Sequence, residues 1–149
     1  NPSSYDKMKF IKLKEIGINR LSIGIQSLNN KYLKFLGRLH NIKDVNVATR
    51  EACSIFDNIS VDIIYAFYGQ DLVEWTNELE TFLRVNKLHH LSLYQLTIEE
   101  GTKFFKDYNN GIIKLIDDDL AAEFYDVSNK MYIYLHMLDL VLLPCIDRM

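Results

Sequence analysis

An α/β fold built on parallel strands is predicted by three observations. Short apolar, β-branched runs recur three times along the chain, helical periodicity fills the stretches between them, and each stretch is long enough for a crossover helix. Ser4 to Ile16 reads as the first helix, with Ser4 as N-cap, Phe10, Leu13 and Ile16 repeating along one face, and Gly17 as the stop. Arg20–Ile25 follows as a buried parallel strand. A short helix over Asn30–Leu36 closes at Gly37, and another runs from about Lys43 to Phe56.

Ser60–Ala66 is the second strand, and Phe67-Tyr-Gly-Gln70 turns the chain into its clearest helix. There Leu72, Trp75, Leu79, Phe82 and Leu83 form a single apolar stripe. His90–Leu96 is the third strand. After the turn-like Asn109-Asn110-Gly111, a helix starts near Asp117 and carries Leu120, Phe124, Val127 and Met131 inward. Met137–Leu143 is nearly all apolar and is broken by Pro144, which leaves it readable as a buried strand or as a tail foreign to the fold.

Composition narrows the function classes. The 149 residues carry 17 Lys+Arg against 20 Asp+Glu, a net charge of −3, with no basic cluster. That excludes nucleic acid as the main partner, since counterion release supplies most such affinity. Cys53 and Cys145 lie far apart without a C-x-x-C spacing, so neither a disulfide framework nor a local metal clip is readable. With no secretory signal and no apolar run long enough to span a bilayer, a cytoplasmic setting is expected. Three strands cannot close a barrel, and the chain starts without Met, so a piece of a larger sheet or barrel is expected.

In parallel α/β folds, ligands sit at the carboxyl ends of the strands. That rule selects Gln26 after the first strand, Asp62 within the second, Thr97 closing the third, and Arg38 beyond the short helix. Gln, Arg and Asp together suit an amino acid-like ligand: Arg pairs a carboxylate, Asp takes an ammonium or ribose hydroxyls, and Gln bridges. The same residues could instead satisfy loop backbone groups and cap a helix end. His89 and His90 point to opposite faces of a strand and do not form a metal pair. Asp117, Asp118 and Asp119 read as a helix N-terminus, Tyr65 and Tyr94 as core or crevice lining, and Cys53 as packing.

Asn1-Pro-Ser-Ser, Gly17-Ile-Asn-Arg-Leu-Ser-Ile-Gly-Ile-Gln-Ser27, Leu36-Gly-Arg-Leu-His40, Val61-Asp-Ile-Ile-Tyr65 and His90-Leu-Ser-Leu-Tyr-Gln-Leu-Thr-Ile-Glu-Glu-Gly-Thr102 occur in one order. Together they resemble the radical S-adenosylmethionine family of oxygen-independent coproporphyrinogen III oxidases and HemW-type haem chaperones, the chaperone branch more closely. The resemblance covers about residues 1–130 and implies a partial (β/α) barrel. It also implies S-adenosylmethionine across the strand ends beside a [4Fe–4S] cluster, with Gln26, Arg38 and Asp62 as its ligands and Thr97 beside them.

Haem or a porphyrin precursor is the implied cargo, with a haem-acceptor protein as a further partner. His40, His89, His90 and His136 are conceivable axial ligands, none in a diagnostic context. The family's Cys-x-x-x-Cys-x-x-Cys loop, which supplies the cluster thiolates, is absent from this sequence. The proline of the family's Leu-Pro-Gly-Gln-Thr turn is also missing, Phe67-Tyr-Gly-Gln-Asp71 standing in its place with Asp71 still able to cap. Residues 131–149 depart from the family pattern and resemble a shifted reading frame. The competing expectation is a catalytically inactive remnant that holds no cluster.

Overall fold

The computed structural model describes residues 1–86 and 88–142, with side chains as far as Leu135. Three strands, β1 (Arg20–Gln26), β2 (Asn58–Tyr65) and β3 (His90–Gln95), form one parallel sheet in the order β1-β2-β3. The helices are α1 (Lys7–Glu15), α2 (Asn30–Phe35), α3 (Ile42–Ile55), α4 (Leu72–Val85), α5 (Lys103–Asn109) and α6 (Asp118–Leu142). The strand and helix rhythm expected from the sequence is present, in an open three-stranded parallel sheet among the described residues.

Strand alternation divides the sheet into two unlike faces. One carries Ile23, Ile25, Ile59, Val61, Ile63 and Tyr65, all buried, and packs on Val45 and Ala52 of α3, Trp75, Leu79 and Phe82 of α4, and Phe124 of α6. The other carries Ser22, Gly24 and Gln26 of β1 beside Ser60, Asp62 and Ile64 of β2, and His90, Ser92 and Tyr94 of β3. Reading these strands as apolar runs buried on both sides misses this polar face. The signal was the period-two recurrence of Ser, Asp, His and Gln among the aliphatics.

The α4 stripe packs as its spacing requires, and α6 clasps it. Trp75 Nε1 donates to Ser128 Oγ at 2.8 Å, and Ser128 Oγ donates to the Phe124 carbonyl at 2.6 Å. Both polar groups are buried, and each is satisfied by the other helix or by its own. Tyr65, on the sheet, stacks against Phe124 with centroids 6.5 Å apart. Burial pushes its phenol pKa up, so Tyr65 belongs to the core, whereas Tyr94 stays half in solvent.

Several local expectations need correction. Ser4 does not cap the first helix: its hydroxyl donates to the Asn1 carbonyl in a 3-10 turn at Pro2–Ser4. Asp6 caps α1 instead, accepting from the amides of Met8 and Lys9. Ile16 falls at the C-cap of that helix and is 76% exposed, so only Phe10 and Leu13 reach the core. The strand reading of the apolar 137–143 stretch fails, because α6 runs unbroken through Lys130 to Leu142; residues 143–149 lie outside the described residues. α5 was not anticipated, although Thr102 accepts from the Phe105 amide as its cap. Asp71 caps α4 without the family's proline, accepting from the Glu74 amide at 2.8 Å.

α2 ends in a Schellman turn, with Gly37 N–H donating to the Lys34 carbonyl and Arg38 N–H to that of Leu33. Gly37 sits at φ +66°, a conformation that costs an L-residue about 1–2 kcal/mol. Gly37→Ala is therefore expected to lower stability by about 1 kcal/mol. A urea midpoint unchanged from the parent would contradict that.

Candidate functional site

β1 ends irregularly, and the irregularity builds the site. Gly24 pairs with Asp62, but the register then shifts so that Gln26 pairs with Ile63. Gln26 adopts φ +71°, which a residue with a side chain rarely takes and which persists only where its surroundings hold it. The Ile25 carbonyl just before it accepts from His40 Nε2 at 3.0 Å and from the Ser27 amide at 2.9 Å. Since the carbonyl only accepts, the proton sits on Nε2 of His40. His40 is buried, and its Nδ1 meets no protein partner. It is a positioning residue for the strand end that the sequence reading had weighed only as an axial ligand.

Gly24 leaves room for the Gln26 side chain. A Cβ on Gly24 would stand 2.5 Å from Gln26 Nε2, so the Gln26 amide lies back across its own strand on the polar face. Asp62 lies beside it on that face, half-buried, and accepts from Ser22 Oγ at 3.2 Å. Among the described residues no cation pairs with Asp62. Its carboxylate is left to accept from a ligand ammonium or hydroxyl.

Gln26, Asp62 and Thr97 line one cavity of about 340 Å³ at the carboxyl end of the sheet, together with Ile64, Tyr94 and Gln95. Three of the four residues selected from the sequence are thus brought together. Arg38 is not among the lining residues: its backbone closes the α2 turn and its side chain is exposed, so nearness along the chain did not place it in the cavity. Tyr94, read from the sequence as core or crevice lining, does line this cavity, whereas Ile64 was missed, although it follows from Asp62 by the two-residue period.

The remaining candidates take structural roles. His90 Nδ1 lies 3.1 Å from Ser60 Oγ on the polar face, and His89 is its neighbour at the strand's start. Asp117 Oδ1 accepts from the Asp119 amide at 3.0 Å, as a cap does. Burial pushes the Cys53 thiol pKa up, away from reactivity. Among the described residues, no group of three His, Cys, Asp or Glu side chains is placed to hold a metal ion. The residues at hand therefore do not fit a [4Fe–4S] cluster: Cys53 lies within α3, and Cys145 and the His136 side chain lie outside what is described. No helix among the described residues is long and apolar enough to cross a membrane.

No protein-family model matches the chain. Among curated proteins it is 38% identical over 132 residues to the mitochondrial radical S-adenosyl methionine domain-containing protein 1 of Danio rerio, covering 88% of this chain and 30% of that protein. It is 43% identical over 105 residues to the heme chaperone HemW of Buchnera aphidicola, covering 70% of this chain and 28% of the relative. Among solved structures, the radical SAM coproporphyrinogen III oxidase HemN of Escherichia coli superposes with a TM-score of 0.68 at 19% identity, covering 91% of this chain and 30% of that one. The chain is a homologue of radical SAM domain proteins and HemW haem chaperones and shares the HemN fold. It spans about 30% of the length of these relatives.

Proposed function

We propose that this chain, a stretch of a radical S-adenosylmethionine protein, forms one side of the seat for S-adenosylmethionine in a protein that carries haem or acts on a haem precursor. The observation that supports this most is the convergence of Gln26, Asp62 and Thr97 on one cavity at the ends of parallel strands. Asp62 accepts from the ligand's ammonium or ribose hydroxyls, Gln26 bridges with its amide, and Thr97 adds a hydroxyl at the rim. Arg38, exposed beyond α2, is the proposed partner of the ligand carboxylate. When bound beside a [4Fe–4S] cluster, S-adenosylmethionine would supply the family's one-electron chemistry; among the described residues no set of thiolates is placed to hold that cluster.

The cavity also weighs against the competing reading of an inactive remnant, since Gln26 is held at a strained φ beside Asp62, which among the described residues has no ion-pair partner. A cytoplasmic or organellar setting, and haem transfer to an acceptor protein, are the finer parts of the reading. Two relatives carry the words heme chaperone and mitochondrial in their names.

Calorimetric titration of the full polypeptide with S-adenosylmethionine tests the seat. Asp62→Asn and Gln26→Ala are each expected to weaken binding by about tenfold or more, the value of one hydrogen bond to a charged group. Both variants should unfold at the parent's urea midpoint to within about 0.5 kcal/mol. Unchanged affinity in both would refute this assignment.

A further inference from the structure

We infer that the groove between α3 and α4, on the helix-covered side of the sheet, docks an extended segment of a partner protein that carries a basic residue and a carboxylate about four residues apart. The groove encloses about 580 Å³, with Ile42, Asn46 and Arg50 on one wall and Glu78, Thr81 and Val85 on the other. Residues at these spacings share one face of a helix, so each helix turns a continuous stripe to the gap. Each helix is held from elsewhere. Trp75 Nε1 ties α4 to Ser128 of α6, and α3 packs on α1, where Lys7 Nζ meets Glu51 Oε2 at 2.9 Å. Leu28 and Phe82, 6% and 5% exposed, close the floor between them.

Charge gives the groove a polarity. At one end Asn29 Nδ2 donates to Glu78 Oε1 at 2.7 Å and to Glu74 Oε1 at 3.3 Å, so a single amide holds two carboxylates one helical turn apart. Ile42 opens α3 at this same end, its amide donating to Asn30 Oδ1 at 2.9 Å. Among the described residues no cation pairs with Glu74 or Glu78. Burial pushes the Glu78 pKa up and the Glu74 charge adds to the shift, so an incoming ammonium or guanidinium relieves a charge that the fold leaves uncompensated.

Arg50 marks the other end. It lies two turns along α3 from Ile42, about 12 Å at the helical rise, and an extended chain covers that distance in about four residues. Among the described residues its guanidinium pairs with no carboxylate, its neighbour Glu51 being held by Lys7. Between the ends, Asn46, Asn77 and Thr81 offer amides and a hydroxyl to a peptide backbone. Ile42 and the 73% exposed Val85 offer apolar surface to the side chains between the charges. Opposite charges two turns apart, with main-chain hydrogen-bonding groups between them, fit a peptide better than a compact small molecule.

An array of immobilised pentapeptides, probed with the full polypeptide, tests the inference: the end residues vary among Lys, Glu and Gln, and the central three are all Leu or all Ser. Peptides with Lys at one end and Glu at the other are expected to retain the polypeptide about fivefold better than those with Gln at both ends, and Leu centres better than Ser centres. For the best binder, followed in solution by fluorescence anisotropy, Glu78→Gln should weaken affinity about tenfold and the exposed Arg50→Gln about threefold. Arg50→Glu should turn the preference to peptides with Lys at both ends, a reversal that a loss of folding would not produce. Saturating S-adenosylmethionine should leave peptide affinity unchanged, since its proposed seat lies on the other face of the sheet. Equal retention of charged and Gln-ended peptides, retention of none, an unchanged preference in Arg50→Glu, displacement by S-adenosylmethionine, or binding of free 6-aminohexanoate as tight as that of the best peptide would overturn the proposal.

Discussion

Trp75→Ala is expected to remove about 3–5 kcal/mol from the free energy of unfolding, a large part of the 5–15 kcal/mol typical of a domain. Trp75 is 1% exposed and sits where β2, α4 and α6 meet, with Tyr65 and Phe124 within ring-contact distance. Truncation leaves a cavity that the backbone of two crossing helices cannot collapse to fill. It also leaves Ser128 Oγ without its buried donor, although Ser128 still donates to the Phe124 carbonyl. Trp75→Phe separates the two costs, since it keeps most of the ring but loses the N–H, and it should cost about 1–3 kcal/mol. Urea unfolding of the full polypeptide followed by circular dichroism measures both; a Trp75→Ala loss below about 1 kcal/mol would mean that α6 does not close this core.

His40→Ala is the second large effect, and it should appear in two readouts. Loss of the imidazole takes a donor from the Ile25 carbonyl and opens a void in a buried position, at a cost of about 1–3 kcal/mol plus the cavity. With that donor gone, the turn that holds Gln26 at φ +71° is expected to loosen. Affinity for S-adenosylmethionine is therefore expected to fall by about tenfold in conditions where the variant is still folded. A destabilised variant with unimpaired affinity would show that Gln26 keeps its geometry without His40 and would reduce the histidine to packing.

Much of the fold was legible in the chain because local chemistry and tertiary packing agree. The Leu72–Phe82 stripe reads as α4 and buries as α4, since its apolar residues already share one helical face. Asn41, whose capping box with Asp44 starts α3, and Gly37, whose positive φ ends the turn after α2, act through their nearest neighbours alone. Where a cap competed with another local partner the reading slipped, as at Ser4, whose hydroxyl is taken by Asn1. α5 escaped notice because its seven residues carry too little periodicity to stand out.

For the site, sequence position alone selected Gln26, Asp62 and Thr97, because carboxyl ends of parallel strands share one edge of the sheet whatever the details of packing. It could not separate them from Arg38, since twelve residues along the chain can lead into a cavity or out to solvent. The division belongs to the tertiary structure. The register shift after Gly24, the His40 ring behind Ile25 and the pairing of Asp62 with Ser22 join residues up to forty positions apart. Local propensity extends over a few residues, and only strand pairing and side-chain packing bring such distant groups within hydrogen-bond reach.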